Sequence, residues 1–290
     1  MRRIAAPRRS LARRVGAHVS TAGGLTKALG RTREIGGNCL QIFAGSPRSW
    51  ARKLYSLEES RRYLDAAETT GFSPVFIHAL YLVNLASDNP DLVQKSVDSL
   101  IFDMKNGQLI NSAGVIVHLG SHQGRGFAVV VDQVAGVINQ ILSATEGITF
   151  VIENSAGQKG KIGSLPEIEQ LFKKVNNPRL QLCLDSAHLF AAGYNLRELA
   201  GSDSVVNELI NLNLLKHLVC LHLNDSQTEL NSRNDQHANL GEGKIGLAGL
   251  SQFVNQPEFA NLPLILEVPG EVGMPDAAQI AIAKSLTRSG

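Results

Sequence analysis

The stretch TFVIE, Thr149 to Glu153, is four β-prone residues closed by a carboxylate. It is short and near-continuous in apolarity rather than alternating, the pattern of a strand covered on both faces. Upstream, GVIVH (Gly114–His118) and PVFIH (Pro74–His78) repeat it with histidine in the closing position. Downstream, QLCLD (Gln181–Asp185) closes on aspartate and LILE (Leu264–Glu267) on glutamate. Arg14–Val19, Cys39–Phe43 and Leu218–Leu223 complete eight such runs.

Between them lie segments of helical period. Ser56 with Glu59, and Ser164 with Glu167, have the spacing of capping boxes. Asn89-Pro90 opens a long helix whose Leu92, Val93, Val97, Leu100, Ile101 and Met104 share one face. Further helices are expected over Ala128–Leu142, Ser202–Leu212, Leu247–Val254 and Pro275–Leu286. Strands alternating with helices mean parallel pairing and right-handed crossovers. No Gly-x-Gly-x-x-Gly opens the first unit, and polar residues close most strands. An open sheet gathers its chemistry at one switch point, whereas a barrel gathers it round one rim. The expected fold is therefore an α/β (β/α)₈ barrel over residues 15–290, preceded by a flexible basic arm at residues 1–14.

At 290 residues and 43% hydrophobic, the chain is long enough for one large core. Lys plus Arg total 28 against 26 acidic residues, a net of +2, so charge alone does not mark a nucleic-acid binder. Cys39, Cys183 and Cys220 sit in strand runs without metal-site spacing and read as small buried hydrophobes. An odd cysteine count suits a reducing compartment. No apolar signal core follows the basic start and no apolar run is long enough to span a membrane, so a cytoplasmic location is expected.

The rim carries the chemistry. His78, His118, Glu153 and Asp185 close their strands, and His188 follows three residues after Asp185. His222 lies in the seventh run, Asp235 and His237 in the loop after it, and Glu267 closes the eighth. One strand-end histidine is commonly structural. Four converging carboxylates without cations would repel one another. Five imidazoles and four carboxylates exceed one ion's needs and suit two or three, with zinc or manganese favoured by the mixed donors. His18 and His122 lie on the same rim, either behind the ligands or against substrate, while His217 reads as structural.

Seven runs carry a resemblance. They are GAHVSTAGG (Gly16–Gly24), HALYLVNLAS (His78–Ser87), HLGSHQG (His118–Gly124), ENSAGQKG (Glu153–Gly160), LDSAHLFAAGYN (Leu184–Asn195), HLNDS (His222–Ser226) and DQHANLGEGKIG (Asp235–Gly246). Together they resemble the endonuclease IV family of apurinic/apyrimidinic endonucleases, from Val15 to Glu267. The resemblance implies three Zn²⁺ ions, with Mn²⁺ an alternative at one site. His78, His118 and Glu153 match the first set of ligands. Asp185, His222 and Glu267, with Glu153 bridging, match the second. His188, Asp235 and His237 match the third. Glu153 would also position the nucleophile.

The partner implied is double-stranded DNA with an abasic site, bound by a monomer. Tyr81 and Asn84 match residues near the lesion, and Arg48 and Trp50 match a loop that enters the DNA. Four places depart from the family pattern: Gln236 stands for an arginine, Ser186-Ala187 for Thr-Cys, Asn195 for an aspartate and Gln227 for a lysine. The losses at 227 and 236 remove positive charge without touching a ligand. A sugar isomerase on a similar barrel is the nearest rival. It has no need of the group formed by His188, Asp235 and His237.

Overall fold

The computed structural model describes residues 13–47, 49–271 and 273–287. The eight apolar runs are strands β1 (Val15–His18), β2 (Cys39–Phe43), β3 (Val75–His78), β4 (Gly114–Val117), β5 (Phe150–Glu153), β6 (Leu180–Asp185), β7 (Leu218–His222) and β10 (Leu264–Leu266). All pair in parallel and close in the order β1-β10-β7-β6-β5-β4-β3-β2. Cys39, Phe76, Ile116, Val151, Cys183, Cys220 and Ile265, one from each of seven strands, pack together as one buried cluster. The eighth strand, β1, has Gly16 beside this layer, where a Cβ would lie 1.7 Å from the Cys39 carbonyl oxygen. The cysteines are buried and unpaired, as expected. Cys183 and Cys220 also stand in register on neighbouring strands beside His222, a juxtaposition that their sequence spacing does not show.

The helices are α1 (Leu25–Glu34), α2 (Leu57–Thr70), α3 (Pro90–Leu109), α4 (Phe127–Ser143), α5 (Leu165–Val175), α6 (Ser186–Ala192), α7 (Leu199–Asn211), α8 (Gly246–Val254) and α9 (Ala277–Leu286). Two of them escape a reading of apolar period. Helix α1 starts at Gly24 with no side-chain cap, and α6 follows β6 without a loop. The box at Ser164 forms in full, but the one at Ser56 forms only in half. There Glu59 Oε1 accepts from Leu25 N of α1 instead (3.3 Å), so it fastens one helix start to another. A two-residue antiparallel pair, β8 (Asp225–Ser226) with β9 (His237–Ala238), stands outside the barrel sheet and was not expected.

The expected basic arm ends against the barrel. Arg13 donates to the carbonyls of Val254, Phe259 and Leu262 at 2.5, 2.7 and 3.1 Å, so at this position the arm is anchored, not free. Its residues 1–12 lie outside the described residues. Among the described residues no helix is long and apolar enough to cross a membrane.

Candidate metal centre

Parallel register sets the strand ends side by side. Phe43 pairs with His78, Glu153 with Cys183, and Asp185 with His222. His118 and Glu267 come one residue after β4 and β10. Glu153 is completely buried at the centre. Its Oε2 lies 3.4 Å from His78 Nε2 and 3.3 Å from His118 Nε2. Its Oε1 lies 3.0 Å from His222 Nδ1 and 3.3 Å from His188 Nδ1.

His222 Nδ1 in turn faces Glu267 Oε2 at 3.3 Å and Asp185 Oδ2 at 4.0 Å. Beyond them, His237 Nε2 lies 3.6 Å from Asp185 Oδ2 and 3.4 Å from Asp235 Oδ1, and His188 Nε2 lies 3.1 Å from the same Asp235 oxygen. All nine candidates therefore adjoin one another at one end of the barrel.

Three sets of ligand atoms gather here, each within 4.8 Å: His78, His118 and Glu153; Glu153, Asp185, His222 and Glu267; and Asp185, His188 and His237. Asp185 thus stands in both the second and third sets, and in the third it takes the place expected of Asp235, whose Oδ1 faces the two histidines of that set without joining it.

The residues fit metal ions, and the hydrogen bonds say why. His78 Nδ1 bonds the Ala79 carbonyl (2.7 Å), His188 Nδ1 the Asn154 carbonyl (3.0 Å) and His237 Nδ1 the Glu267 carbonyl (3.4 Å). A carbonyl only accepts, so each Nδ1 carries the proton and each Nε2 keeps its lone pair. His188 Nε2, His237 Nε2 and Glu153 Oε2 are buried with no hydrogen-bond partner. Buried acceptors left so are costly, and a cation facing them removes the cost.

Electrostatics agrees. Burial resists charge on Glu153, yet His118 and His222 hold its carboxyl well below the usual carboxylate range. Burial opposes a charge on His188 too, but Asp185, Asp235 and Glu153 raise it well above its ordinary value, so without a cation these carboxylates draw a proton onto the lone pair that a metal ion would otherwise use. The carboxylates call for positive charge from whatever sits among them. Burial pushes His118 down to about 4, so it stays a neutral donor at pH 7.

Sequence reasoning missed the amides behind the ligands. Asn154 Oδ1 accepts from Asp185 N (2.7 Å). Asn224 gives its Nδ2 to Asp185 Oδ2 (2.6 Å) and takes Glu267 N on its Oδ1 (2.8 Å). Gln41, buried in β2, reaches Glu267, His222 and His18. Asp225 was missed too: its buried carboxylate accepts from the backbone N–H groups of Gly241, Gly243, Ile245 and Gly246. A local signal existed only for Asn154 and Asn224, which directly follow Glu153 or stand two residues after His222.

A family model described as a xylose isomerase-like TIM barrel matches residues 29–288. A probable endonuclease 4 from Halothermothrix orenii is 40% identical over 262 residues, covering 88% of this chain and 93% of that protein. The crystal structure of endonuclease IV from Thermus thermophilus superposes with a TM-score of 0.83 at 35% identity, covering 94% of this chain and 98% of that one. The chain belongs to the endonuclease IV family. A D-tagatose 3-epimerase-like protein shares the fold, at 17% identity, TM-score 0.68 and coverage of 93% of this chain and 95% of that one.

The endonuclease IV motifs also supply the remaining candidates. Tyr81 is 67% exposed, with its ring 5.7 Å from that of His78 and 5.5 Å from that of Phe43, so it overhangs the first ligand set. Asn84 has its Oδ1 taken by Ala86 N (3.1 Å) and Ser121 N (3.0 Å), tying two rim loops together. Trp50 is half-buried and packs on the core, and Arg48 lies outside the described residues.

His18 sits beside the ligands, 3.6 Å from Glu267 Oε1. His122 is in none of the ligand sets: its Nδ1 accepts from Gly126 N (3.1 Å) and its backbone N–H donates to the Gly160 carbonyl (2.8 Å), so it shapes the loop after β4. His217 packs on Phe172, with ring centres 4.5 Å apart, away from the centre.

Proposed function

We propose that this chain is a DNA-repair endonuclease. It hydrolyses the phosphodiester on the 5′ side of an abasic nucleotide in duplex DNA, as a monomer, and leaves a 3′ hydroxyl and a 5′ deoxyribose phosphate. The observation that carries the reading is that His188 and His237 face the same Asp235 oxygen, at 3.1 and 3.4 Å, beside the two sets that share Glu153. A sugar isomerase has no use for that group.

Three Zn²⁺ ions suit the nine donors, with Mn²⁺ an alternative at one. Bound ions would supply an ionisable water at neutral pH and offset phosphate charge. The residues of the chain do the rest. Glu153 gives one oxygen to each of two neighbouring sets, so it holds the attacking water's position between them. His188, Asp235 and His237 lie on the far side, where the leaving 3′ oxygen would go. Tyr81 overhangs the site where a baseless nucleotide would enter. Turning out such a nucleotide costs less because it has no base to unstack, which supplies part of the selectivity.

The test uses duplex DNA with one chemically reduced abasic site, which sugar-aldehyde elimination cannot cut. The expected result is nicking 5′ to the site, abolished by a zinc chelator, with about three ions bound per chain. Intact duplex from metal-loaded protein would refute the reading.

A further inference from the structure

We infer that Gln41 fixes the proton positions on His222 and His18, and so aims the His222 Nδ1 lone pair at the ligand set of Glu153, Asp185 and Glu267. The inference rests on the metal-centre reading above, and its experiment reads proton positions separately from nicking.

Gln41 is fully buried in the middle of β2, where an apolar side chain would be ordinary. Its amide has three partners. The amide nitrogen lies 2.6 Å from Glu267 Oε1 and 2.9 Å from His18 Nδ1. The amide oxygen lies 2.8 Å from His222 Nε2.

The order of donors follows from one fact: an ionised carboxylate only accepts. The end of the amide facing Glu267 must therefore be the NH₂ group. The oxygen then faces His222, and His222 must carry its proton on Nε2. With Nε2 committed to Gln41, Nδ1 is the nitrogen that faces Glu153, Glu267 and Asp185, at 3.0, 3.3 and 4.0 Å; it carries a second proton toward Glu153 Oε1 when no cation lies among these carboxylates and offers its lone pair when one does.

The second amide hydrogen points to His18 Nδ1, so His18 accepts there and keeps its own proton on Nε2. His18 also lines a cleft of about 660 Å³ together with Phe43, Tyr81 and Met274. Its imidazole thus enters the cleft wall as a neutral donor, a group suited to a sugar or phosphate oxygen.

His222 differs in this respect from three of the other four candidate ligand histidines. His78, His188 and His237 direct Nδ1 to backbone carbonyls, which the fold itself supplies. His222 presents Nδ1 to the ligand set, and its Nε2 bonds a side chain from another strand, Gln41 of β2. Gln41 is a positioning residue: it acts through His222 and Glu267.

The experiment combines zinc binding with ¹⁵N NMR of the imidazoles in the full chain. In the parent, the neutral His222 ring should be protonated on Nε2, with about three zinc ions bound. Gln41→Met keeps the length and removes both functions. It should bind one of the three ions about 10- to 100-fold more weakly, the range for loss of a supporting partner, and show mixed His222 tautomers. Gln41→Glu keeps an acceptor opposite Nε2 and should keep the parent tautomer. Gln41→Met with parent zinc affinity and parent tautomer overturns the inference. So does a parent His222 protonated on Nδ1, a result that decides the matter even if Gln41→Met does not fold. Parent protein that binds zinc with Nε2 protonated but leaves abasic DNA whole would sink the proposed function and leave this inference standing.

Discussion

His118 is the most open of the five imidazoles of the candidate metal centre, with 30% of its side chain exposed against 17% or less for the others. Its loss therefore removes little packing, and His118→Ala should fold while nicking falls by about 100-fold or more, beyond what a mere supporting partner contributes. Near-parent nicking with a full metal load would contradict its role. The same variant carries a pH signature in chelated protein. Burial lowers the folded His118 from its ordinary 6.5 to about 4. Between those values the unfolded chain takes a proton that the folded chain refuses, so stability from this group is lost as pH falls from 6.5 toward 4. Thermal melts of the parent should drop across that window more steeply than those of His118→Ala. The convergence of these side chains was legible because carboxylates are seldom buried unpaired, and because a barrel brings every strand end to one rim. Gln41 was not: its partners His222 and Glu267 lie 181 and 226 residues away, and nothing near it in sequence shows them.

Among elements, the eight strands were readable because burial on both faces leaves a continuous apolar signature. Helix α6 was not, because its N-cap is Asp185, a strand-end ligand whose Oδ1 also takes the His188 N–H at 2.9 Å. The β8–β9 pair was hidden for a similar reason: two-residue strands have no period. Asp225 holds the loop that follows this pair. A Cβ on Gly243 would fall 2.5 Å from Asp225 Oδ1, so the loop wraps the carboxylate at contact distance. Asp225→Asn replaces one acceptor oxygen by a donor facing N–H groups. Faster amide exchange over residues 240–246 is expected, with zinc falling from about three ions to about two as β9, which bears His237 and leads into this loop, loosens with it. Unchanged exchange in that loop would refute the assignment.

The loop after β2, which carries Arg48 and Trp50, is fastened differently. Arg52 donates to Asp103 Oδ1 of α3 at 2.5 Å and stands 4.4 Å over the Phe102 ring. Both partners are buried. Arg52→Met should cost about 3–5 kcal/mol in urea unfolding, because Asp103 is left buried and unpaired, and adding Asp103→Leu should restore much of it. Equal stability of the single and double variants would rule out the ion pair as the fastening.

At the scale of the whole molecule, the formal charge of +2 counts Glu153, Asp185, Asp235 and Glu267 as four negative charges. Three divalent ions in the centre would more than cancel them. The face proposed to meet DNA would then be far more positive with metal than without, although no basic residue has moved. Two consequences follow for binding, apart from cleavage. Chelated protein should bind abasic duplex more weakly than metal-loaded protein at the same salt, since a phosphate would meet four uncompensated carboxylates. For loaded protein, contacts to the DNA backbone should dominate, so affinity should fall by about 10³-fold between about 50 and about 200 mM salt, the behaviour of roughly six phosphate contacts. Changing the bases around the lesion should leave that slope alone, because phosphate contacts carry no sequence information. Fluorescence anisotropy on an uncleavable phosphorothioate duplex measures both. Equal affinity with and without metal would mean that the centre lies away from the bound phosphates, and would separate this rim from the DNA it is proposed to cut.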